Sequence, residues 1–144
     1  AYGKHFTFGD VVRASRLALD EGVYYAHFLI LGGYGDTREN VRETIENSRR
    51  MEYTVMFPYA GMRIYPHTRL AELAAKEGAI GRDDDLMAPS YYISRDFDLE
   101  EVRRAALATG KAWVFPDDPQ SALADTLRLK RNKKGPLWEY LRKP

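Results

Sequence analysis

The sequence predicts an α/β protein built on a parallel sheet, and three observations carry that expectation. The run Phe28-Leu29-Ile30-Leu31 is apolar enough to belong inside a sheet and ends in Gly32, Gly33 and Gly35. A second strand-like run, Tyr53 to Met62, follows one short helix later. Consecutive strands joined through a helix run parallel with a right-handed crossover, so 7 to 78 reads as α-β-α-β-α.

Each element has its own signal. Thr7-Phe8-Gly9-Asp10 has the spacing of a capping box, with Asp in place of Glu, and predicts a helix start. Val11, Val12, Ala14, Leu17, Ala18 and Leu19 form one broad apolar face, and Gly22 is placed to stop the helix. Tyr24 to Leu31 is the first strand. After the glycine turn, Asp36 or Thr37 caps a second helix with Val41, Thr44, Ile45, Ser48 and Met51 on its inner face. Tyr53 to Met62 reads as a buried strand, and Thr68 caps a helix from Arg69 to Glu77 that Gly78 ends.

From Ala79 to Phe97 no period is visible and a long loop is expected. Asp98 caps a helix to about Thr109, Gly110 closes it, and Ala112 to Phe115 is a short third strand. A helix through Ser121, Leu123, Leu127 and Leu129 and a final helical turn at Leu137 to Leu141 complete the chain. The organisation is therefore 1–97 as the α/β unit with its long loop and 98–144 as a mainly helical extension.

Composition narrows the function. With 144 residues, 44% of them hydrophobic, the chain can bury a core as a globular domain. The net charge of +1 provides no general attraction to nucleic acid or acidic lipid, although residues 121–144 carry +5 against −4 for the rest. The absence of cysteine excludes disulfides, a thiol nucleophile, a zinc–thiolate site and an iron–sulfur cluster held by this chain's own thiolates. No apolar run of about 18 residues and no signal-peptide pattern occurs, so no membrane span is expected and a cytoplasmic setting is the default.

The carboxyl ends of parallel strands carry the ligands of α/β sheets, which points to Gly32–Thr37 and Gly61–Thr68. The glycine turn reads either as a plain turn or as a cradle of free amides for an anion or polar group; a Walker-A lysine is lacking. Arg63, at a strand end, can hold a carboxylate in two hydrogen bonds or make a surface ion pair. His5, His27 and His67 lack metal-ligand spacing, and Asp83-Asp84-Asp85 reads as a solvated turn because consecutive side chains diverge. Tyr91 and Tyr92 read as loop anchors, and the basic C-terminal stretch lacks the interleaved aromatics of a nucleic-acid surface.

Four ordered stretches resemble the second half of radical S-adenosylmethionine enzymes, most closely the cobalamin-binding subgroup that includes the anaerobic magnesium-protoporphyrin monomethyl ester oxidative cyclases. They are Gly3-Lys4-x-Phe6-Thr7, Phe28 to Thr37, Met62-Arg63-Ile64-Tyr65-Pro66-x-Thr68-x-Leu70, and Asp85-Leu86-Met87-x-Pro89-x-Tyr91-Tyr92. The likeness spans about residues 3 to 94. It departs at Tyr34, where the family usually has Pro, at Asp36 for Glu and at His67 for Gly. The Cys-x-x-x-Cys-x-x-Cys motif of the family's first half is missing.

The resemblance implies the C-terminal half of a partial (β/α)6 TIM-like barrel, continued by the helical extension. It also implies S-adenosylmethionine, a 4Fe-4S cluster and cobalamin as cofactors of a full-length enzyme, none held by this fragment alone. Leu31, Gly32 and Gly33 would line the adenosine side of the cofactor site, with Arg63 and Tyr65 near cofactor or substrate. No catalytic residue and no metal ligand is assigned here. The implied partners are the missing N-terminal half of the polypeptide and a small-molecule substrate, with self-association of the fragment through its open sheet. The competing expectations are a freestanding α/β module that binds a small anion or nucleotide without redox chemistry, and a packing domain for a protein partner.

Overall fold

The computed structural model describes residues 4–81, 83–116 and 135–144. Its elements run α1 (Phe8–Asp20), β1 (His27–Leu31), α2 (Arg38–Asn47), a 3-10 turn (Ser48–Arg50), β2 (Val55–Ala60), β3 (Met62–Ile64), α3 (Arg69–Lys76), β4 (Ser90–Tyr92), α4 (Leu99–Ala108), β5 (Ala112–Trp113) and a second 3-10 turn (Leu137–Leu141). The helix expected through Ser121 to Leu129 lies outside the described residues.

Side-chain caps define the helix starts. The Asp10 amide donates to Thr7 Oγ1 at 3.3 Å while Asp10 Oδ2 accepts from the Thr7 amide at 2.7 Å, a reciprocal box that satisfies two otherwise orphaned donors. Thr37 and Asn40 repeat it at α2, Thr68 accepts from the Ala71 amide at α3, and Asp98 accepts from the amides of Glu100 and Glu101 at α4.

β1, β2 and β5 form a parallel sheet in the order β1-β2-β5, with Leu31 beside Ala60 and Val55 beside Ala112. One face takes the helices. Val12 of α1, Val41 and Ile45 of α2, and Val102 and Ala106 of α4 pack with Leu31, Met56 and Trp113 in a single core. Fully buried side chains such as Ile45 and Met56 each contribute about 1.5–3 kcal/mol relative to exposure. Arg38 and Arg42 of α2 share the Glu101 carboxylate of α4, with Arg38 Nε at 3.0 Å, which fixes the two helices side by side. Thus α4 and β5, assigned by sequence to an extension from 98, share the core of the preceding elements.

The fold is α/β with a three-stranded parallel sheet and four helices among the described residues. A six-stranded barrel is not present among them. Three further differences from expectation have local causes. β1 begins at His27 rather than Tyr24, because the Tyr24 ring lies 3.7 Å from the Arg142 guanidinium and the Tyr25 hydroxyl donates to the Glu52 carbonyl, holding both outside the ladder. The run Tyr53 to Met62 is not one strand: Gly61, at φ 73°, ends β2 and starts β3. The stretch expected as loop holds β4, antiparallel to β3 with Met62 opposite Tyr92 and Ile64 opposite Ser90. Ile64, Ala74, Leu86 and Tyr92 form a second buried cluster under α3.

Candidate functional site

The carboxyl ends of β1 and β2 meet through the backbone. The Gly61 amide donates to the Leu31 carbonyl at 2.8 Å, and the Ser94 amide donates to the Gly32 carbonyl at 2.8 Å. Leu31 points into the core. Gly32, at φ 74°, lies under the Phe97 ring, which a β-carbon there would strike. The Gly33 amide donates to Asp36 Oδ2 at 3.1 Å, and its carbonyl accepts from the Asp36 amide at 3.1 Å. The chain's own carboxylate therefore takes the amide that a cradle would present to an anion.

Arg63 and Tyr65 form the second part. Arg63 is exposed on β3 opposite Tyr91, and its guanidinium stands 4.8 Å from the Tyr65 ring centre, a cation–π pair. No hydrogen bond or ring contact among the described residues joins this pair to Gly32 or Gly33. The connection runs instead through Tyr92, whose carbonyl lies against Gly61 and whose ring meets Tyr34 of the glycine turn edge-on at 5.6 Å. The Tyr92 hydroxyl donates to Glu77 Oε2 at 2.7 Å; this bond, then burial, raises its pKa.

Helices cover one face of the sheet. On the other face the Phe28 ring stacks on Phe57 at 5.1 Å and approaches Tyr59 at 6.3 Å. Phe28 is 69% exposed, Ile30 45% and Tyr59 40%. The register Phe28–Phe57 and Ile30–Tyr59 explains the row, since paired residues of parallel strands share a face. The sequence signal was present as alternate large side chains in both runs.

A groove of about 430 Å³ lies between α1 and the Tyr25–His27 segment that leads into β1. Its wall includes Val11, Ala14, Ser15 and Ala18. The Ser15 hydroxyl donates to the Val11 carbonyl at 2.8 Å and lies 3.4 Å from His27 Nε2. Burial pushes the His27 pKa down.

The remaining candidates are structural. Asp84 and Asp85 side chains accept from the amides of Leu86 and Met87 at 3.0 and 2.9 Å, closing turns of the kind aspartate favours. His67 occupies a left-handed conformation, φ 60°. Among the described residues no group of three His, Asp or Glu could hold a metal ion, and no helix is long and apolar enough to cross a membrane.

Fold and site define an α/β protein whose strand ends are closed by its own loops and whose opposite sheet face is bare and aromatic. Comparison with protein-family models, with curated proteins and with solved structures finds no match to this chain.

Proposed function

We propose that this chain is the C-terminal part of a cobalamin-type radical S-adenosylmethionine enzyme, oxidative cyclase-like or methyltransferase-like, supplying the adenosine-side wall of the cofactor site and part of the cavity for a small-molecule substrate. The observation that carries this reading is the bare sheet face. A parallel sheet normally has both faces covered, and the row Phe28, Ile30, Phe57 and Tyr59 is what the inner surface of a partial (β/α)6 barrel presents before the rest of the barrel closes on it. The left-handed residue 67, inside Arg-Ile-Tyr-Pro-x-Thr, agrees with a motif that has glycine there.

In this reading Leu31 and Gly32 give backbone to the adenosine wall, and Ile30 and Tyr59, one step back on the open face, offer apolar contact to the base. Gly33 acts by holding the turn through Asp36 rather than by donating to the ligand. Arg63 and Tyr65 lie toward cofactor or substrate. The bound cofactors would supply the reductive cleavage of S-adenosylmethionine to a 5′-deoxyadenosyl radical. The donor set here does not fit a 4Fe-4S cluster, since the chain has no thiolate, so the cluster ligands belong to the N-terminal half of the polypeptide. The fragment alone is inactive, and its setting is the cytoplasm. The alternative of a freestanding anion-binding module loses support because Asp36 already occupies the Gly33 amide.

The test is to express the whole reading frame anaerobically, reconstitute it with iron and sulfide, reduce it, and quantify 5′-deoxyadenosine. Formation that is lost on replacing the upstream cysteines supports the proposal. A reconstituted cluster with no cleavage of S-adenosylmethionine would overturn it.

A further inference from the structure

The face that the helices leave open is covered at one end. Phe28, Ile30 and Tyr59 are exposed on it, yet Val55, which shares that face with Phe57 and Tyr59 by the alternation of the strand, is fully buried. Ala112, registered with Val55, is buried too. Neither belongs to the core under the helices or to the cluster under α3. Another part of the chain therefore lies over the amino-terminal end of this face.

The last described residues supply the cover. The 3-10 turn Leu137–Leu141 packs against β2, with Leu137, Trp138 and Leu141 half-buried. Residues 142–144 then cross the amino ends of the strands in sheet order. The Arg142 guanidinium stands 3.7 Å from the Tyr24 ring, ahead of β1. The Lys143 carbonyl accepts from the Tyr53 amide at 2.7 Å and Lys143 bridges Thr54, ahead of β2. Lys111 Nζ, ahead of β5, donates to the Pro144 carbonyl at 2.8 Å. Arg142 Nε also donates to the Glu139 carbonyl at 2.8 Å, which fastens the crossing residues to the turn.

A strand rises about 3.3 Å per residue, so the covered layer Val55–Ala112 lies about 7 Å below the layer Phe28–Phe57. The layer Ile30–Tyr59 is the same distance higher, beside the glycine turn. We infer that residues 137–144 are the floor of the cavity above the aromatic face, leaving the Phe28–Phe57 and Ile30–Tyr59 layers to the apolar part of a ligand and limiting the length of ligand that enters. The inference rests on the reading of that face as a cavity wall, and not on the cofactor.

A chain without cysteine allows single introduced thiols to report which layers are covered. In 1–144, Tyr59→Cys should react freely with a maleimide, and Val55→Cys on the order of 100-fold more slowly. Deleting residues 137–144 should bring Val55→Cys close to the rate of Tyr59→Cys, while Met56→Cys, beneath the helices, stays slow and reports an intact sheet. If the deletion frees Met56→Cys as well, the milder pair Leu141→Ser with Arg142→Ala makes the same comparison. Val55→Cys that stays slow when the segment is deleted or loosened, or that reacts as freely as Tyr59→Cys when it is intact, would overturn the inference.

Depth is tested on the complete polypeptide of the same reading frame, by displacement of anilinonaphthalene sulfonate with straight-chain alcohols. Affinity should rise about four-fold per added methylene, level off at a limiting length, and keep rising to longer chains in Leu141→Ser with Arg142→Ala. The same limiting length in both proteins would overturn the inference. Tyr59→Cys that reacts as fast in the complete polypeptide as in 1–144 would show the aromatic face open to solvent. That result removes the cavity itself, a failure read separately from that of its floor.

Discussion

Phe97 closes over Gly32: a β-carbon on Gly32 would stand 3.0 Å from Phe97 Cβ and nearer still to its ring. Gly32 also holds φ 74°, where a side chain is strained. Gly32→Ala should cost roughly 2–4 kcal/mol in urea unfolding, from strain plus overpacking. In the double variant with Phe97→Ala the losses should fall short of additive by about 1 kcal/mol or more, because the clash is removed. Strict additivity would mean that the ring does not confine Gly32.

Asp36 closes the glycine turn on both sides, accepting from the Gly33 amide and donating its own amide to the Gly33 carbonyl. Asp36→Ala removes the side-chain bond alone and should lower stability by about 1 kcal/mol. The Gly33 amide should then exchange faster, which heteronuclear NMR reads directly.

The half-buried His27 gives a pH dependence whose sign is fixed. Burial lowers its pKa from the ordinary 6.5, so the unfolded chain takes up the proton first on acidification. The stability contributed by neutral His27 is complete above about pH 6.5 and is lost as pH falls through the lower folded value. His27→Gln should flatten the unfolding free energy across that window, and an unchanged slope would assign the dependence elsewhere.

His67 bears a left-handed backbone with a side chain attached, φ 60°. His67→Gly relieves that strain and loses part of the gain to the greater freedom of the unfolded chain. The net expectation is a stabilisation of about 0.5–1 kcal/mol by chemical denaturation.

The bare row of rings should bind a hydrophobic dye such as anilinonaphthalene sulfonate without unfolding. Phe28→Ser together with Tyr59→Ser should reduce dye fluorescence while leaving the far-ultraviolet circular dichroism unchanged, since both side chains are exposed and outside the core.

Much of the fold was legible because short-range chemistry sets the helix ends. Thr7, Thr68 and Asp98 cap as their spacing predicts, Thr37 takes the α2 cap that the sequence left between Asp36 and Thr37, and Gly22, Gly78 and Gly110 all hold positive φ just past a helix. The β3–β4 pair was not legible. Three residues are too few to show a period, and Gly61 interrupts an apolar run that otherwise reads as one strand. At the candidate site the sequence located the strand ends but not what covers them. Phe97 and Val102 stand at the two positions of a hydrophobic staple flanking the Asp98 cap, and that spacing was the available sign of a ring folding back toward β1. That Asp36 would turn inward to Gly33 instead of outward to a ligand depends on side-chain rotation, which no spacing encodes.

Gly61 joins two bodies that are held together differently. On one side is the parallel sheet with its ten-residue core; on the other, β3, β4 and α3 share a cluster of four buried residues. A small core opens more cheaply than the large one beside it. The Arg63–Tyr65 surface rides on the small body and Gly32 on the large one. Their separation changes only if the Tyr34–Tyr92 contact and the Ser94–Gly32 hydrogen bond yield together with Gly61, and the Ile64 and Tyr92 amides should exchange at a lower opening free energy than those of Leu31 and Met56.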